Sequence, residues 1–467
     1  MAFLDYSPTT TPPYDEDSYS DYEELPAYTA RRNRRSVKPP TRHTFVLADK
    51  KNREWAFLRV DSRPDSAARF PVFRDGDVII GSVELDLPKE ALIHQVSVWV
   101  RGRVSNQESI NQDRMENDAA GLYFLNENLT LWKPSFGDPR ANASHDGSSP
   151  SSTKEYKGKF NGSYSWDFRI CLPTTVKGSA APGADGASYG LPPHFRDATT
   201  PFVLVYQIGL VIKSGLLRTD DTLRQEIGVL PRRKPPTLSV MRQIAYRERT
   251  PPPGPEADRD GWLVHRTVPV LGTMFGKQPV EMYCSFALAE PLVYTRGSII
   301  PIQLVLESSS SQVLDLLASP SRLQVCLVRM VSSGSKLKLK TSRTSTASCL
   351  AMGVCWPASS SQQSRHRRVI HSELKLSRSL TPSFEFQGAA VRYSIVVLPP
   401  RASGFVPSNS EPLFTQSIDV TADYAHGPRP RSYAPSGAVA PAIAKHPKWS
   451  AEDEDNMALV GYGLGYR

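Results

Sequence analysis

Two similar stretches of sequence indicate how this chain folds. Residues 73–85 read FRDGDVIIGSVEL, and residues 294–306 read YTRGSIIPIQLVL. Each begins with an aromatic residue, passes through a short polar turn to a glycine, and continues as a run of β-branched and aliphatic residues. Glycine suits a turn that needs positive φ, and the run after it has the composition of a β-strand. The pair predicts two similar β-domains in tandem; the alternative is a chance likeness between two short strands.

The composition indicates folded cores separated by proline-bearing segments. The chain has 467 residues, enough for two or three domains, but only 39% are hydrophobic and 40 are prolines. The net charge of +9 permits contact with an acidic membrane or an acidic partner, and it does not by itself indicate nucleic-acid binding. We therefore expect no nucleic-acid partner.

Cysteine and histidine usage argues against a metal site. The five cysteines have irregular spacings without a C-x-x-C pair, and the nine histidines form no H-E-x-x-H motif. No apolar run has the length of a membrane span, the N-terminal residues lack the pattern of a signal peptide, and no phosphate-binding glycine motif occurs. We expect a cytoplasmic protein with reduced cysteines, no metal and no cofactor.

Changes in composition divide the chain into five parts. Residues 1–41 hold an acidic, tyrosine-rich block and then a basic cluster, which predicts a disordered tail. Alternating short strands over 42–233 predict one antiparallel β-sandwich, and the proline-rich stretch 234–264 predicts an interdomain connection. A second sandwich is expected over 265–425, followed by a disordered tail over 426–467.

The predicted fold class is all-β, with two tandem immunoglobulin-like antiparallel β-sandwiches. Many short strands bounded by turn residues, without a long amphipathic helix, are typical of this class. Inside the second sandwich we expect a serine-rich, basic insertion over 332–368, because no continuous strand can be placed in that segment.

The order of several motifs resembles that of arrestin-like proteins of the alpha-arrestin type. Residues 164–173, YSWDFRICLP, form an aromatic strand that ends in Leu-Pro; residues 191–195, LPPHF, and 205–213, VYQIGLVIK, follow in the order found in the N-terminal half of that family. Residues 76–85 resemble the family's early glycine-bearing strand, and residues 294–297, YTRG, resemble the start of a strand in its C-terminal half.

Two further stretches resemble the fungal, basidiomycete-type members of the family: residues 255–262, PEADRDGW, and residues 354–357, VCWP. The resemblance covers about residues 42–425. It implies the arrestin fold and an adaptor that binds cytoplasmic segments of membrane transporters or receptors. The polar core of the visual arrestins cannot be matched here residue by residue.

A short motif in the N-terminal tail indicates a partner. Leu25, Pro26 and Tyr28 form an L-P-x-Y sequence, and proline holds such a peptide near the polyproline-II conformation that WW domains grip. The resemblance implies recruitment of a HECT-type ubiquitin ligase that carries WW domains. A plain turn in a polar tail is the alternative interpretation.

Two basic clusters are candidates for contact with an anionic surface. Arg31, Arg32, Arg34 and Arg35 follow the L-P-x-Y motif, and each basic residue near an anionic membrane contributes on the order of 1 kcal/mol. The alternation of Lys336, Lys338 and Lys340 with leucines predicts three ammonium groups on one face of a strand, a face suited to lipid or phosphorylated cargo. For each cluster the simpler interpretation is a solvated charged segment; a nuclear address is a further alternative for the arginines.

Residues 186–190, GASYG, match the G-x-S-x-G pattern of serine hydrolases. A nucleophile elbow needs a strand before it and a helix after it, whereas loop residues flank this Ser188. We therefore expect no catalytic residue, and a serine hydrolase is only a remote alternative.

The sequence thus predicts a non-enzymatic arrestin-like adaptor that binds membrane-protein cargo and recruits a ubiquitin ligase for endocytosis and sorting. It is expected in the cytoplasm, peripherally at the plasma membrane or endosomes. The main alternative is an arrestin-fold scaffold, retromer-like in its use of that shape, which acts in vesicular sorting without a ligase.

Overall fold

The computed structural model describes residues 39–64, 70–106, 121–140, 155–178, 186–197, 200, 202–215, 219–334 and 344–443. Within these ranges β-strands dominate, and the helices are short. The strands form antiparallel sheets that pack as sandwiches, which confirms the all-β prediction. Neither α-helix in these ranges has the length and apolarity to cross a membrane.

In the described ranges up to residue 230, the N-terminal sandwich has eleven strands. One sheet has the order β1-β2-β4-β7 and the other β3-β11-β10-β5-β6, while β8 and β9 form a separate hairpin. The strands are β1 (Thr41–Ala48), β2 (Glu54–Ser62), β3 (Val72–Arg74), β4 (Val78–Ala91), β5 (Ile93–Asn106), β6 (Gly121–Trp132), β7 (Phe160–Cys171), β8 (Thr175–Lys177), β9 (Ser188–Gly190), β10 (Phe202–Ser214) and β11 (Asp221–Leu230).

Alternation of side chains explains how these two sheets close over a core. In β7, the aromatic residues Tyr164, Trp166 and Phe168 are buried while the intervening polar residues are exposed. Successive side chains of a strand point to opposite faces, so these three rings enter the sandwich. In β10, by contrast, nearly every residue is buried, because this strand lies in the middle of its sheet with both faces covered.

The C-terminal sandwich begins after the proline-rich connection. One sheet has the order β19-β20-β16-β14-β13-β23, with β12 also paired to β14; the other has the order β15-β24-β22-β17-β18, with β21 also paired to β22. The elements are α1 (Val240–Glu248), β12 (Trp262–Val264), β13 (Val268–Met274), β14 (Gln278–Ala289), β15 (Val293–Thr295), β16 (Ile299–Glu307), α2 (Ser311–Leu317), β17 (Gln324–Ser333), β18 (Thr344–Met352), β19 (Val354–Pro357), β20 (Arg367–Lys375), β21 (Phe384–Phe386), β22 (Ala389–Leu398), β23 (Phe405–Pro407) and β24 (Phe414–Thr421).

The expectation of a strandless insertion over 332–368 requires correction. The strands β18 and β19 lie inside that segment, and β20 begins at its end. Both β18 and β19 are edge strands of their sheets. An edge strand has one solvated side and tolerates serine and threonine, so the hydrophobic alternation that reveals a central strand is weak here.

The two sandwiches repeat one structural unit. In each, a three-residue strand pairs in parallel with the last long strand of the same sandwich: β3 with β11, and β15 with β24. Each short strand then turns sharply into a long strand, β4 or β16. These are the two stretches whose sequences are alike, so the predicted duplication is present in the structure.

The turns of the two units match in detail. Gly76 has φ +70° and Gly297 has φ +80°, a region that an L-residue adopts only with strain. The same backbone hydrogen bond closes both turns. The N–H of Asp77 donates to the C=O of Arg74 at 3.0 Å, and the N–H of Ser298 donates to the C=O of Thr295 at 3.0 Å.

The connection between the sandwiches is anchored by α1. Ser239 caps the helix, its hydroxyl accepting the N–H of Arg242 at 3.2 Å and donating to Asp258 at 2.6 Å. The buried guanidinium of Arg242 donates to the C=O groups of Glu290 and Gly261, so it holds the connection against the start of the C-terminal sandwich.

Candidate functional site

The residues that the sequence singled out for binding lie outside the part of the chain that the structure describes. Leu25, Pro26 and Tyr28 precede its first described residue, as do the four arginines of the cluster at 31–35. Lys336, Lys338 and Lys340 fall between residue 334, the last described residue after β17, and residue 344, where β18 begins. Their proposed contacts with a ligase, a membrane or phosphorylated cargo therefore stay predictions.

Ser188 does not have the setting of a nucleophile elbow. It begins the short strand β9, which pairs with β8 opposite Lys177. The chain continues from Gly190 through Leu191 without a helix, whereas the elbow requires a helix immediately after the serine. The local geometry therefore offers the remote hydrolase alternative no support.

The two sandwiches share one hydrophobic core across their contact surface, which we call the seam. Phe384 of β21 lies against Phe195 and Phe202 of the N-terminal sandwich, with ring centroids 5.8 and 6.5 Å apart. Phe386, on the same short strand, packs edge-on against Phe124 at 4.9 Å and Tyr189 at 5.2 Å. Such aromatic contacts bury large apolar areas, so the seam resembles a domain core more than a mobile hinge.

Among the described residues, two ion pairs with largely buried arginines cross the seam. Arg329 of β17 donates to the carboxylate of Asp197 at 2.8 Å, and both side chains are largely buried. Arg74 at the end of β3 contacts Asp423, just after β24, at 2.9 Å. Removing one partner of a buried ion pair leaves an uncompensated charge, so these pairs stabilise one arrangement of the two sandwiches.

The segment that carries Asp197 also contains a buried histidine. His194 lies 3.3 Å from the carboxylate of Glu226 on β11, and Arg196 contacts the same carboxylate at 3.1 Å. Burial, aided by the charge of Arg196, lowers the pKa of His194 to about 4. Burial also raises the pKa of Glu226, against the opposing effect of Arg196 and Arg103. At neutral pH this histidine is therefore uncharged.

A cleft of about 420 Å³ opens beside the seam, and we call it the seam cleft. The linker residue Arg233, the start of β15 and strands β21, β22 and β24 form its walls. Its lining comprises Arg233, Leu292, Val293, Ser383, Phe384, Glu385, Val391, Arg392, Tyr393, Ser417, Ile418 and Asp419.

The seam cleft has an apolar floor and, at its rim, two solvent-exposed ion pairs. Arg233 pairs with Asp419, and Arg392 pairs with Glu385; each of these four side chains is 40% exposed or more. Exposed ion pairs contribute about 0–1 kcal/mol, so a ligand that offers its own carboxylate or phosphate can replace either acidic partner at small cost. The arrangement suits an extended, charged peptide, and it holds no constellation of nucleophile and base.

The chain matches no protein-family model, and no curated protein matches it in sequence. Among the described residues, no three histidine, cysteine or acidic side chains stand close enough together to hold a metal ion.

The charged residues of the seam cleft could not be recognised from the sequence. Arg233 stood at the predicted end of the first domain, and Glu385, Arg392 and Asp419 looked like ordinary polar positions of strands. Arg233 follows β11, whereas the other three charged residues lie on β21, β22 and β24, so the set comes together only in the folded protein. A signal was present only at Phe384 and Phe386, two aromatic residues that flank Glu385 in a short strand.

Proposed function

We propose that this protein is a non-enzymatic, arrestin-like adaptor. It binds cytoplasmic segments of membrane transporters or receptors through its paired sandwiches. It recruits a WW-domain ubiquitin ligase of the HECT type through Leu25, Pro26 and Tyr28, for endocytosis and sorting. It works in the cytoplasm, peripherally at the plasma membrane or endosomes, and it needs no cofactor.

The observation that carries this proposal is the duplicated sandwich joined through a common core. Two copies of one unit, each begun by a parallel strand and a glycine turn, are held together by Arg329–Asp197 and by the aromatic residues of β21. Two sandwiches that share a core present a larger continuous surface than either one alone, which favours recognition of extended partners over catalysis in a pocket.

The seam cleft is our candidate for cargo contact. It is formed by strands of the C-terminal sandwich and by Arg233 of the chain that leaves β11, so a bound segment would contact the C-terminal sandwich beside the seam. Its two arginines match acidic or phosphorylated cytoplasmic segments, and the flanking Phe384 and Ile418 offer apolar contact.

The ligase half of the proposal is tested by titrating a labelled peptide of residues 18–36 against a panel of WW domains. Micromolar binding that disappears with Tyr28→Ala is expected, because the tyrosine fills a pocket in WW complexes. If the wild-type peptide binds none of the domains, the ligase half is wrong, and the ligase-independent sorting scaffold becomes the better description.

The cargo half has a separate test. The full chain is screened against a displayed library of cytoplasmic segments of transporters and receptors, and hits are measured again with Arg233→Glu and Arg392→Glu. Loss of binding at least tenfold larger than that caused by Arg53→Glu, an exposed arginine next to β2, supports the seam cleft. Equal effects of all three variants would place cargo elsewhere.

A further inference from the structure

The chain after β24 does not leave the fold at once. Residues 424–443 run over the C-terminal sandwich without forming a helix or a strand, and we call them the strap. At its far end Ala440 packs on a small cluster that includes Cys326, Cys349 and Met352 of β17 and β18. The sequence predicted a disordered tail from residue 426, so this ordered course is a structural finding.

One carboxylate holds the strap. Glu373 of β20 is 8% exposed, and both of its oxygens are bound by strap residues. The hydroxyl of Ser432 donates to Oε2 at 2.6 Å, and the backbone N–H of Tyr433 donates to Oε1 at 2.8 Å. Within the described strap, these are the hydrogen bonds that reach the sandwich. Because a buried carboxylate needs such donors, the strap and Glu373 stabilise each other.

The side chain of Tyr433 completes the attachment. Its ring stacks on the buried Tyr246 of α1, with centroids 6.3 Å apart and planes 8° from parallel. It also forms one wall of a cavity of about 220 Å³ whose other walls include Trp262, Trp356 and His371. Departure of the strap would therefore open an aromatic groove with the Glu373 carboxylate at its edge.

The position of Ser432 makes the attachment sensitive to charge. Its hydroxyl points at Glu373, yet the residue itself is exposed, as are Arg429 and Arg431 before it. A phosphate carries a charge of about −1.5 to −2 at neutral pH and has no proton to offer at this contact. Placed within hydrogen-bond distance of a buried carboxylate, it would replace an attraction with a strong repulsion.

We propose that Ser432 is a phosphorylation site, and that its phosphate releases the strap from Glu373 and opens the groove beside Trp262 and Trp356. The co-reactant is ATP, and the catalyst is a protein kinase that recognises arginine before serine. The Ser432 oxygen forms a bond to the γ-phosphorus, the bond from that phosphorus to the bridging oxygen breaks, ADP leaves, and the hydroxyl proton passes to the kinase. The kinase acts on the transiently detached strap, and the phosphate then prevents it from docking again.

The test uses the full chain with phosphoserine installed at position 432 by genetic code expansion. Amide hydrogen exchange of residues 424–443 is compared with that of the unmodified protein. Exchange at least tenfold faster throughout the strap is expected, with unchanged exchange in β14 and β16 as a check that the sandwich remains folded. Unchanged exchange in the strap would overturn the proposal.

A matched control is phosphoserine at position 436, four residues further along the same strap. Ser436 is exposed and makes no described contact with the sandwich, so its phosphate should leave the strap in place. Release of equal size from both positions would show a general effect of charge and would overturn the role of Glu373.

A second variant tests the repulsion itself. Glu373→Gln keeps the size of the side chain and can still accept hydrogen bonds, but it removes the charge. The increase in exchange caused by phosphoserine 432 should fall several-fold in this background. An increase of the same size with and without the Glu373 charge would contradict the mechanism.

A third measurement asks whether the site is used. The purified chain is incubated with ATP and an arginine-directed serine kinase, and the phosphorylated residues are mapped by mass spectrometry, with Arg429→Ala/Arg431→Ala as the control. Phosphate on Ser432 that depends on the two arginines supports the proposal. Phosphorylation of other residues without Ser432 would count against it.

Discussion

Arg74 and Asp423 join the beginning of one sandwich to the end of the other. The guanidinium of Arg74, on the first short strand of the N-terminal sandwich, lies 2.9 Å from the carboxylate of Asp423. The backbone C=O of Asp423 accepts the hydroxyl of Thr295, which occupies in the second unit the place that Arg74 has in the first. Equivalent positions of the two repeated units therefore contact the same residue, Asp423.

Substitution of Asp423 should weaken the whole fold. Asp423→Asn keeps the shape and the backbone contact but leaves the largely buried guanidinium of Arg74 without its charged partner. We expect the free energy of unfolding to fall by about 2 kcal/mol. Urea denaturation of the full chain measures this, with Glu385→Gln, which breaks the exposed pair with Arg392, as the control that costs less than about 1 kcal/mol. Equal losses would mean that Arg74–Asp423 behaves as an ordinary surface pair.

The pair of Arg329 and Asp197 should show strong coupling between the sandwiches. Arg329→Met leaves a buried carboxylate, and we expect a loss of about 3 kcal/mol in unfolding free energy. Arg329→Met/Asp197→Asn removes both charges and should recover most of that loss. A double-mutant cycle in urea measures the coupling, and additive losses would show that the two side chains do not stabilise the seam together.

His194 gives the stability a dependence on pH. Its pKa is lowered to about 4 in the folded protein, from 6.5, so folding favours the uncharged ring. Its contribution is complete above pH 6.5 and is lost as the pH falls from 6.5 towards 4, to an extent of about 3 kcal/mol. Glu226 acts in the opposite direction, because its raised pKa lets the folded state take up a proton more readily.

The measurement that isolates His194 is a comparison of unfolding free energies for the wild type and His194→Gln between pH 7 and pH 4. Both proteins retain Glu226, Arg196 and Arg103, so the difference reports the histidine. The wild type should lose stability more steeply below pH 6.5. Parallel curves would contradict a buried, uncharged His194.

The two glycine turns should resist substitution in the same way. Gly76→Ala and Gly297→Ala place an L-residue at positive φ, and we expect each to lower the unfolding free energy by about 1–2 kcal/mol. The loss should be larger at Gly297, because a Cβ there would lie 2.6 Å from the Cγ of Arg378, against 3.3 Å to Thr174 at Gly76.

A matched control for the glycine prediction is Gly190→Ala on β9. A Cβ at Gly190 meets no atom within 4 Å, and its φ is not in the left-handed region. This change should be neutral or slightly stabilising in thermal denaturation. A loss at Gly190 equal to those at Gly76 and Gly297 would show that backbone conformation is not the cause.

Local features of the fold could be predicted from the sequence, because they depend on neighbouring residues. The glycine turns, the alternation in β7 and the apolar strand β10 are each specified within about ten positions. The edge strand β18 escaped prediction because its serines and threonines resemble a loop, and β19 because it has only four residues. The likeness to arrestins and the binding motifs at Tyr28 and Lys338 stay predictions.

The seam and its cleft could not be predicted, since their residues are brought together only by tertiary structure. Nothing in the vicinity of Asp197 indicates that Arg329 will neutralise it, and nothing near Ser432 indicates a partner at Glu373. Charged residues at these positions look in the sequence like solvated ones. Only packing shows which of them lose contact with water and therefore need a specific partner.

The parallel pairing of β3 with β11 and of β15 with β24 affects how the chain folds during synthesis. Neither β3 nor β15 has its partner until the far end of its own sandwich has left the ribosome. Such long-range contacts slow folding, and an N-terminal sandwich still waiting for Asp423 would leave Arg74 without its ion pair during synthesis. Until β21 has been made, Phe195 and Phe202 also lack the ring of Phe384 that packs against them, and apolar surface exposed during folding favours aggregation.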